Sequence, residues 1–357
     1  MKTTIGILGA SSQVGSSIAL FLKDFPDIRV LCFIRSGYSQ VFFDLLGLEY
    51  QYLDSDNEPA FREQIGSLDV VLDFRYPAVQ MHEILDKSRI GIERVMKVMK
   101  PSAMYFYMSS IMAYGMPDNE KWIRNYRIAR SSYAYIKRSL EKFVVRRGRK
   151  YGLKTYNFRL GQVHGFLQSV NGSFRQKLAE TNIALIDGEP DDPVNIIFIH
   201  PLCEAIDRCV KGDHPPGLYT LVSEPQWSLR ELYSYYQSYC PHPVELAFKP
   251  GGKKPQERRS FVQRIIGLVR PYRALAETYI LMRMPALTVA VKGRFRKSEL
   301  ASADTSATAD LSYIDFNLLG RPSLSLIPGL TVSPEKVGEA ERKMEQYYQS
   351  VILAARK

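Results

Sequence analysis

The stretch Thr4-Ile5-Gly6-Ile7-Leu8-Gly9-Ala10-Ser11-Ser12-Gln13-Val14-Gly15 decides how the rest of the chain is read. Residues 4–8 predict a short buried strand, and Val14, Ile18, Phe21 and Leu22 recur at helical spacing just beyond the loop. Glycine at 9 lets the chain turn tightly, and glycine at 15 lets the helix approach the strand. The helix N-terminus then offers unpaired N–H groups and a positive dipole end to a diphosphate. Ser12 stands where a glycine would bring the backbone nearest that group; its hydroxyl crowds the phosphate and offers a donor in return. Gly9, Ser11, Ser12, Gln13, Val14 and Gly15 are the first candidate binding residues.

Outward from this loop, strand-like runs lie at 29–34, 50–53, 70–73, 104–108 and 155–158, with helical patterns between them, notably 89–99 and 132–147. Alternating strands and helices predict an α/β fold, a Rossmann-like doubly wound parallel sheet. Past Gly165 the regularity loosens, and 196–199, 218–222 and a helix near 334–354 are the clearest elements. The expected division is a dinucleotide-binding part over 1–165, joined by returning segments about 195–222, and a smaller substrate-binding part mainly within 166–357.

The chain has 357 residues, 45% apolar and 24% charged, enough for a large core and too apolar for wholesale disorder. Its four cysteines form no CxxC pair, which argues against a disulfide scaffold or a structural zinc and suits a reducing, cytoplasmic setting. No uninterrupted run of 18 apolar residues marks a membrane span. The apolar start carries the glycine loop, which removal of a signal peptide would destroy. The net charge of +11 is concentrated: residues 249–297 hold 13 basic and two acidic side chains, while the rest of the chain balances. Within that segment Phe261, Val262, Ile265, Ile266, Leu268 and Val269 form an apolar stripe among arginines, a pattern expected of contact with an anionic membrane surface. The competing reading is a helix pair packed on the main body with its charges in water. No stacking platform or recognition module points to nucleic acid.

Two further constellations carry chemistry. At the end of the second predicted strand a carboxylate would hold the ribose hydroxyls of NAD; Arg35 beside Ser36 stands there instead and favours the 2′-phosphate of NADP. In Tyr133-Ala134-Tyr135-Ile136-Lys137 a spacing of four places Tyr133 and Lys137 on one helical face. A phenol with a reference pKa of about 10 is a poor base at neutral pH, and a nearby ammonium with an oxidised nicotinamide would lower it. Ser109-Ser110 closes the strand over 104–108, at the sheet edge where α/β ligands bind.

Taken in order, these motifs resemble the extended short-chain dehydrogenase/reductases of the NAD(P)-dependent epimerase/dehydratase family. The resemblance covers about residues 2–228 and includes Ser109-Ser110-Ile111-Met112-Ala113-Tyr114-Gly115, Arg159-Leu160-Gly161-Gln162-Val163-His164-Gly165, Phe198-Ile199-His200-Pro201 and Trp227-Ser228-Leu229-Arg230-Glu231-Leu232. It implies that Tyr133 is the general acid/base, that Lys137 lowers its pKa and bonds the nicotinamide ribose, and that Ser110 bonds the reacting oxygen. It also implies that Asp54 lies near the adenine and that Asp73 and Phe74 border the cofactor, NADP in preference to NAD. The implied reaction is hydride exchange with a secondary carbinol, as an epimerase or reductase of a sugar linked to a nucleotide or lipid diphosphate. Gln162, Asn171, Arg175 and Lys177 are the expected substrate contacts, and a homodimer is the family expectation.

The departures discriminate. Sugar-nucleotide dehydratases carry Asp-Glu directly after the position of Ser110; Ile111 and Met112 transfer no protons, so a 4,6-dehydratase is not expected. The fourth strand ends in Asp73-Phe74-Arg75 rather than His-Leu-Ala, and His164 replaces a frequent tyrosine. An oxidoreductase of hydrophobic alcohols or ketones, with 261–291 as a greasy entrance, is the second reading. A non-catalytic NAD(P)-binding scaffold is the third.

Overall fold

The structure, a computed structural model, describes residues 2–35, 37–114, 132–223, 226–249, 308–310 and 334–355. Its centre is a parallel seven-stranded sheet. The strands are β1 (Thr3–Leu8), β2 (Ile28–Ile34), β3 (Tyr50–Tyr52), β4 (Val70–Asp73), β5 (Met104–Ser110), β6 (Lys154–Leu160) and β10 (Gly217–Leu221), in the order β10-β6-β5-β4-β1-β2-β3. Leu8 of β1 pairs with Phe33 of β2 on one side and Asp73 of β4 on the other. The order reverses at β1, so the glycine loop emerges at the switch point of the sheet, where ligands of such folds bind.

Helices cover both faces because alternate strand residues are apolar on both. α1 (Gln13–Leu22) and α7 (Ile199–Lys211) pack on one face over Ile5, Ile7, Val70 and Leu72. On the other, α4 (Met81–Val98) and α5 (Ser132–Tyr151) cover Leu8, Val71, Tyr105 and Tyr107. The predicted strands and helices fall at these places with ends shifted by a few residues; the largest change is in α4, which begins eight residues before the predicted 89. α2 (Gly37–Leu45) and α3 (Glu58–Gly66) complete the connections.

The later chain builds a second, smaller layer. β7 (Gln162–His164) pairs with β9 (Ile196–Phe198), and β11 (Glu245–Lys249), β8 (Ile183–Asp187) and β12 (Thr308–Asp310) form a three-stranded parallel sheet in that order. α6 (Ser169–Ala179) and α8 (Leu229–Gln237) pack there with Trp227 and Phe198. The Ser228-Leu229-Arg230-Glu231 motif is a capping box: Ser228 Oγ accepts from Glu231 N at 3.2 Å, and Glu231 Oε2 accepts from Ser228 N at 2.7 Å. α9 (Pro334–Ala355) straps the two layers together through Glu341, which accepts from Phe166 N at 2.9 Å, and through Tyr347, which contacts Lys23 and the Leu46 carbonyl. Among the described residues no helix is long and apolar enough to cross a membrane.

One buried ion pair fixes the catalytic-helix candidate to the sheet. Arg159 of β6 meets Glu141 of α5 through two contacts, Nε–Oε1 at 2.8 Å and Nη2–Oε2 at 2.6 Å, and Ser109 Oγ donates to Glu141 at 2.5 Å. Both charged side chains are almost fully buried. Removing one charge of such a pair is far more damaging than replacing both. Glu141→Leu is expected to cost about 3–5 kcal/mol in chemical unfolding, and Glu141→Leu with Arg159→Met is expected to recover most of that. An E141L protein as stable as the parent would contradict this account.

Candidate functional site

The carboxyl edge of the sheet opens into a cleft of about 370 Å³. Ser12, Gln13 and Val14 line it from the glycine loop, Phe74, Arg75 and Tyr76 from the end of β4, and Met108, Ser109 and Ser110 from β5. Tyr133 and Lys137 enter from α5, with Leu160, Gly161 and Val163 opposite. The separate motifs therefore converge, although more than 120 residues separate Ser12 from Lys137 in the chain.

The loop has the shape of a diphosphate cradle. Gly9 adopts φ +77°, and a Cβ there would press on the backbone of Phe74 and Arg75 at 3.0 Å. A Cβ on Gly15 would lie 2.5 Å from Gly9 O, so only glycine closes this turn. Ser12 is the N-cap of α1, and its Oγ accepts from Gly15 N at 3.1 Å. That bond uses one of the orphan donors of the first turn, while the hydroxyl proton remains available to a ligand. Gln13 Oε1 accepts from Ser169 N at 3.2 Å, and Gln168 Nε2 donates to Gln13 O at 3.0 Å, which ties the loop to the start of α6. A glycine-rich turn, a dipole end and open space beside them fit a dinucleotide; Ser11 is exposed and does not line the cleft.

Lys137 is buried and donates to Met108 O at 2.7 Å. Its Nζ lies 5.1 Å from the ring centroid of Tyr107 and 5.7 Å from those of Tyr76 and Tyr133. Burial pushes the ammonium down to about 8, against the opposing pull of Asp73 and Glu141. Tyr133 is hydrogen-bonded to Ser110, yet burial holds its phenol above the ordinary value, helped by Tyr76 and opposed by Ser110. Proximity to Lys137 alone therefore does not acidify Tyr133 in the free protein, contrary to the simplest reading of the i,i+4 pair. Ser110 Oγ also accepts from Met112 N at 3.2 Å, which sets its rotamer.

The unusual Asp73-Phe74-Arg75 is a self-sufficient unit. Arg75 Nη2 meets Asp73 Oδ2 at 2.6 Å, its Nε meets Oδ1 at 2.9 Å, and its backbone N donates to Oδ1 at 3.0 Å. Tyr105 donates to the same carboxylate, and Arg75 reaches Gly91 O at 3.3 Å. Burial pushes the Asp73 carboxyl up, but Arg75 and these donors outweigh it and hold it below the ordinary range. Asp73 thus lies beneath the cleft and aims Arg75 and Phe74 into it.

Other expected residues do not line this cleft. Arg35 is exposed just past β2, and Ser36 lies outside the described residues. Asp54 caps its own loop by accepting from Asp56 N and Asn57 N at 3.2 and 3.0 Å. Gln162, Asn171, Arg175 and Lys177 do not line the cleft. Arg175 is held by Glu345 at 3.1 Å and stacks over Tyr239, and Asn171 is buried against Tyr236. His164 is buried with Nδ1 2.5 Å from Tyr236 Oη, and burial pushes it down to about 3. Apart from Lys249, the segment 249–297 lies outside the described residues. The sequence reading missed Tyr76, whose ring is 6.0 Å from that of Tyr133, and Gly161, where a Cβ would lie 2.6 Å from Asn195 O.

The depressed Lys137 pKa makes a stability prediction. The unfolded amine titrates near 10.4 and the folded one at about 8, so between those values the unfolded chain binds more protons and stability rises with pH. This contribution is fully present above the unfolded value and is lost as pH falls through about 8. Lys137→Met is expected to flatten the rise in unfolding free energy between about pH 8 and 10 relative to the parent. Parallel stability–pH curves for the two proteins would refute the buried ammonium.

The family model described as "NAD dependent epimerase/dehydratase family" matches residues 5–197, more than half of the chain. No curated protein matches. Among solved structures, the UDP-N-acetylglucosamine 4-epimerase from Bacillus cereus superposes with a TM-score of 0.54 at 17% identity, over 70% of this chain and 86% of that one. The Bordetella bronchiseptica enzyme WbmH, solved with NAD+, gives 0.53 at 22% identity over 71% and 88%. The UDP-glucose 4-epimerase of Thermus thermophilus, solved with NAD, gives 0.51 at 16% identity over 70% and 88%. At such identities these likenesses show the fold. With the family match, they establish that this chain belongs to the NAD dependent epimerase/dehydratase family.

Proposed function

We propose that the protein is an epimerase or reductase that exchanges hydride between NADP, or less readily NAD, and a secondary carbinol of a sugar carried on a diphosphate. The observation that carries this reading is the convergence of Ser110, Tyr133 and Lys137 in one cleft with the glycine loop. The structural neighbours named as UDP-sugar epimerases support the substrate class. A bound nicotinamide supplies the hydride acceptor or donor and, when oxidised, a positive ring that favours the phenolate.

The chain's own residues do the rest. Ser110 orients the reacting oxygen and Tyr133 takes or returns its proton. Lys137, anchored on Met108 O, fixes the ribose and holds positive charge beside the phenol. Ile111 and Met112 give the cleft no further acid or base next to Ser110, so the chemistry stops at proton and hydride movement. Arg35, exposed just past β2, presents a guanidinium where a carboxylate would repel a phosphate, and so suits a 2′-phosphate.

Purified protein assayed with UDP-sugars and with NADPH-dependent reduction of the corresponding keto-sugars tests the reading. Tyr133→Phe is expected to lower turnover about 10²–10⁴-fold with an unchanged circular dichroism spectrum and melting temperature. Full activity in that variant would overturn the assignment. Arg35→Asp is expected to shift the NADP/NAD ratio of kcat/KM toward NAD by roughly tenfold or more, since it replaces attraction for a phosphate with repulsion. An unchanged ratio would remove Arg35 from the cofactor site.

A further inference from the structure

Outside residues 249–297 the sequence balances its charges, but the structure gathers one sign on a single helix. Between α5 and the β6–β10 edge of the sheet lies a concavity of about 710 Å³, larger than the catalytic cleft and on a different side of α5. Arg138, Lys142, Val145, Arg146 and Arg149 recur at spacings of three and four along the wall, so they share a helical face. Lys142, Arg146 and Arg149 have no acidic partner within 4.0 Å among the described residues. The acid of this wall, Glu141, is committed to Arg159 and Ser109.

The floor makes this more than a charged helix face. In β6, Tyr156, Phe158 and Leu160 point into the main core, which leaves Asn157 on the opposite face with Arg159, lining the concavity. Asn157 is 1% exposed, and its Oδ1 has no hydrogen-bond partner. Buried amide oxygens are almost always satisfied, and one left open at the bottom of a cavity marks a place for a ligand donor. Leu218 and Val145 supply short apolar walls.

We infer that this concavity is a second binding site, for a soluble polyhydroxylated phosphate ester of the sugar-phosphate kind. Its phosphate sits among Lys142, Arg146 and Arg149, its carbon skeleton lies against Val145 and Leu218, and a hydroxyl donates to Asn157 Oδ1. The rim offers donors and positive charge, whereas the floor offers an acceptor. Inorganic phosphate satisfies only the first, a bare hydrocarbon neither. The volume falls within the range of small-molecule sites.

Calorimetric titration of the full chain with glucose 6-phosphate tests this, with inorganic phosphate and phosphatidylinositol vesicles as the other arms. Saturable binding of glucose 6-phosphate is expected, tighter than inorganic phosphate. It should weaken roughly tenfold or more in Arg146→Ala/Arg149→Ala, whose positions carry no fold. Asn157→Leu should reduce the affinity to that of inorganic phosphate. If that variant fails to fold, Val145→Glu, which places a carboxylate in the wall, should abolish binding. Binding that survives R146A/R149A belongs to the catalytic cleft and overturns the inference. So does equal affinity for inorganic phosphate, binding to the vesicles alone, or no binding in any arm.

Discussion

The interaction on which the site depends is the bond from the Lys137 ammonium to the Met108 carbonyl at the end of β5. A lysine in the body of a helix ordinarily sends its charge to water. This one is turned inward among the rings of Tyr76, Tyr107 and Tyr133, where burial works against its charge. Much nearby structure keeps it there. Glu141, one turn further along α5, is held by Arg159 and Ser109, and Asp73 is held by Arg75 and Tyr105. These two carboxylates supply the negative field that partly offsets the cost of burying the ammonium. The cleft is therefore a small lattice of buried charges rather than an isolated Tyr–Lys pair.

Each departure from the family pattern is accommodated by its own local contacts. Asp73-Phe74-Arg75 brings a charge into the end of a central strand, and the structure neutralises it within two residues of chain. Ser12, standing where a glycine is expected, caps α1 through Gly15 N and leaves the turn intact. His164, in place of a tyrosine, bonds to Tyr236 and remains neutral in the core of the smaller layer.

The fold and the convergence of the candidate residues were legible because their signals are local. Strand 70–73 opens on the apolar run Val70-Val71-Leu72 before its terminal Asp73, and the glycine loop needs its glycines because a Cβ on Gly15 would lie 2.5 Å from Gly9 O. Tyr133 and Lys137 share a face whatever packs against it. The missed parts depend on contacts between distant segments. Tyr76 follows β4 without a motif of its own, yet lands on Tyr133. Asn171 and Arg175 read as substrate contacts from their position after Gly165, but Tyr236 and Glu345 hold them, residues some 65 and 170 positions away. The basic face of α5 was hidden because a balanced charge count over the whole remainder averages away a helix with one sign on one side.

In the free protein the phenol is held up by burial, so the account places its acidification in the complex rather than in the apoprotein. The most direct measurement is an ultraviolet difference titration of the parent against its Tyr133→Phe variant, with and without saturating NADP+. The account predicts that the difference signal, that of Tyr133 alone, appears above about pH 10 in the free protein and well below it in the complex. A phenol that ionises at the same pH in both states would contradict it.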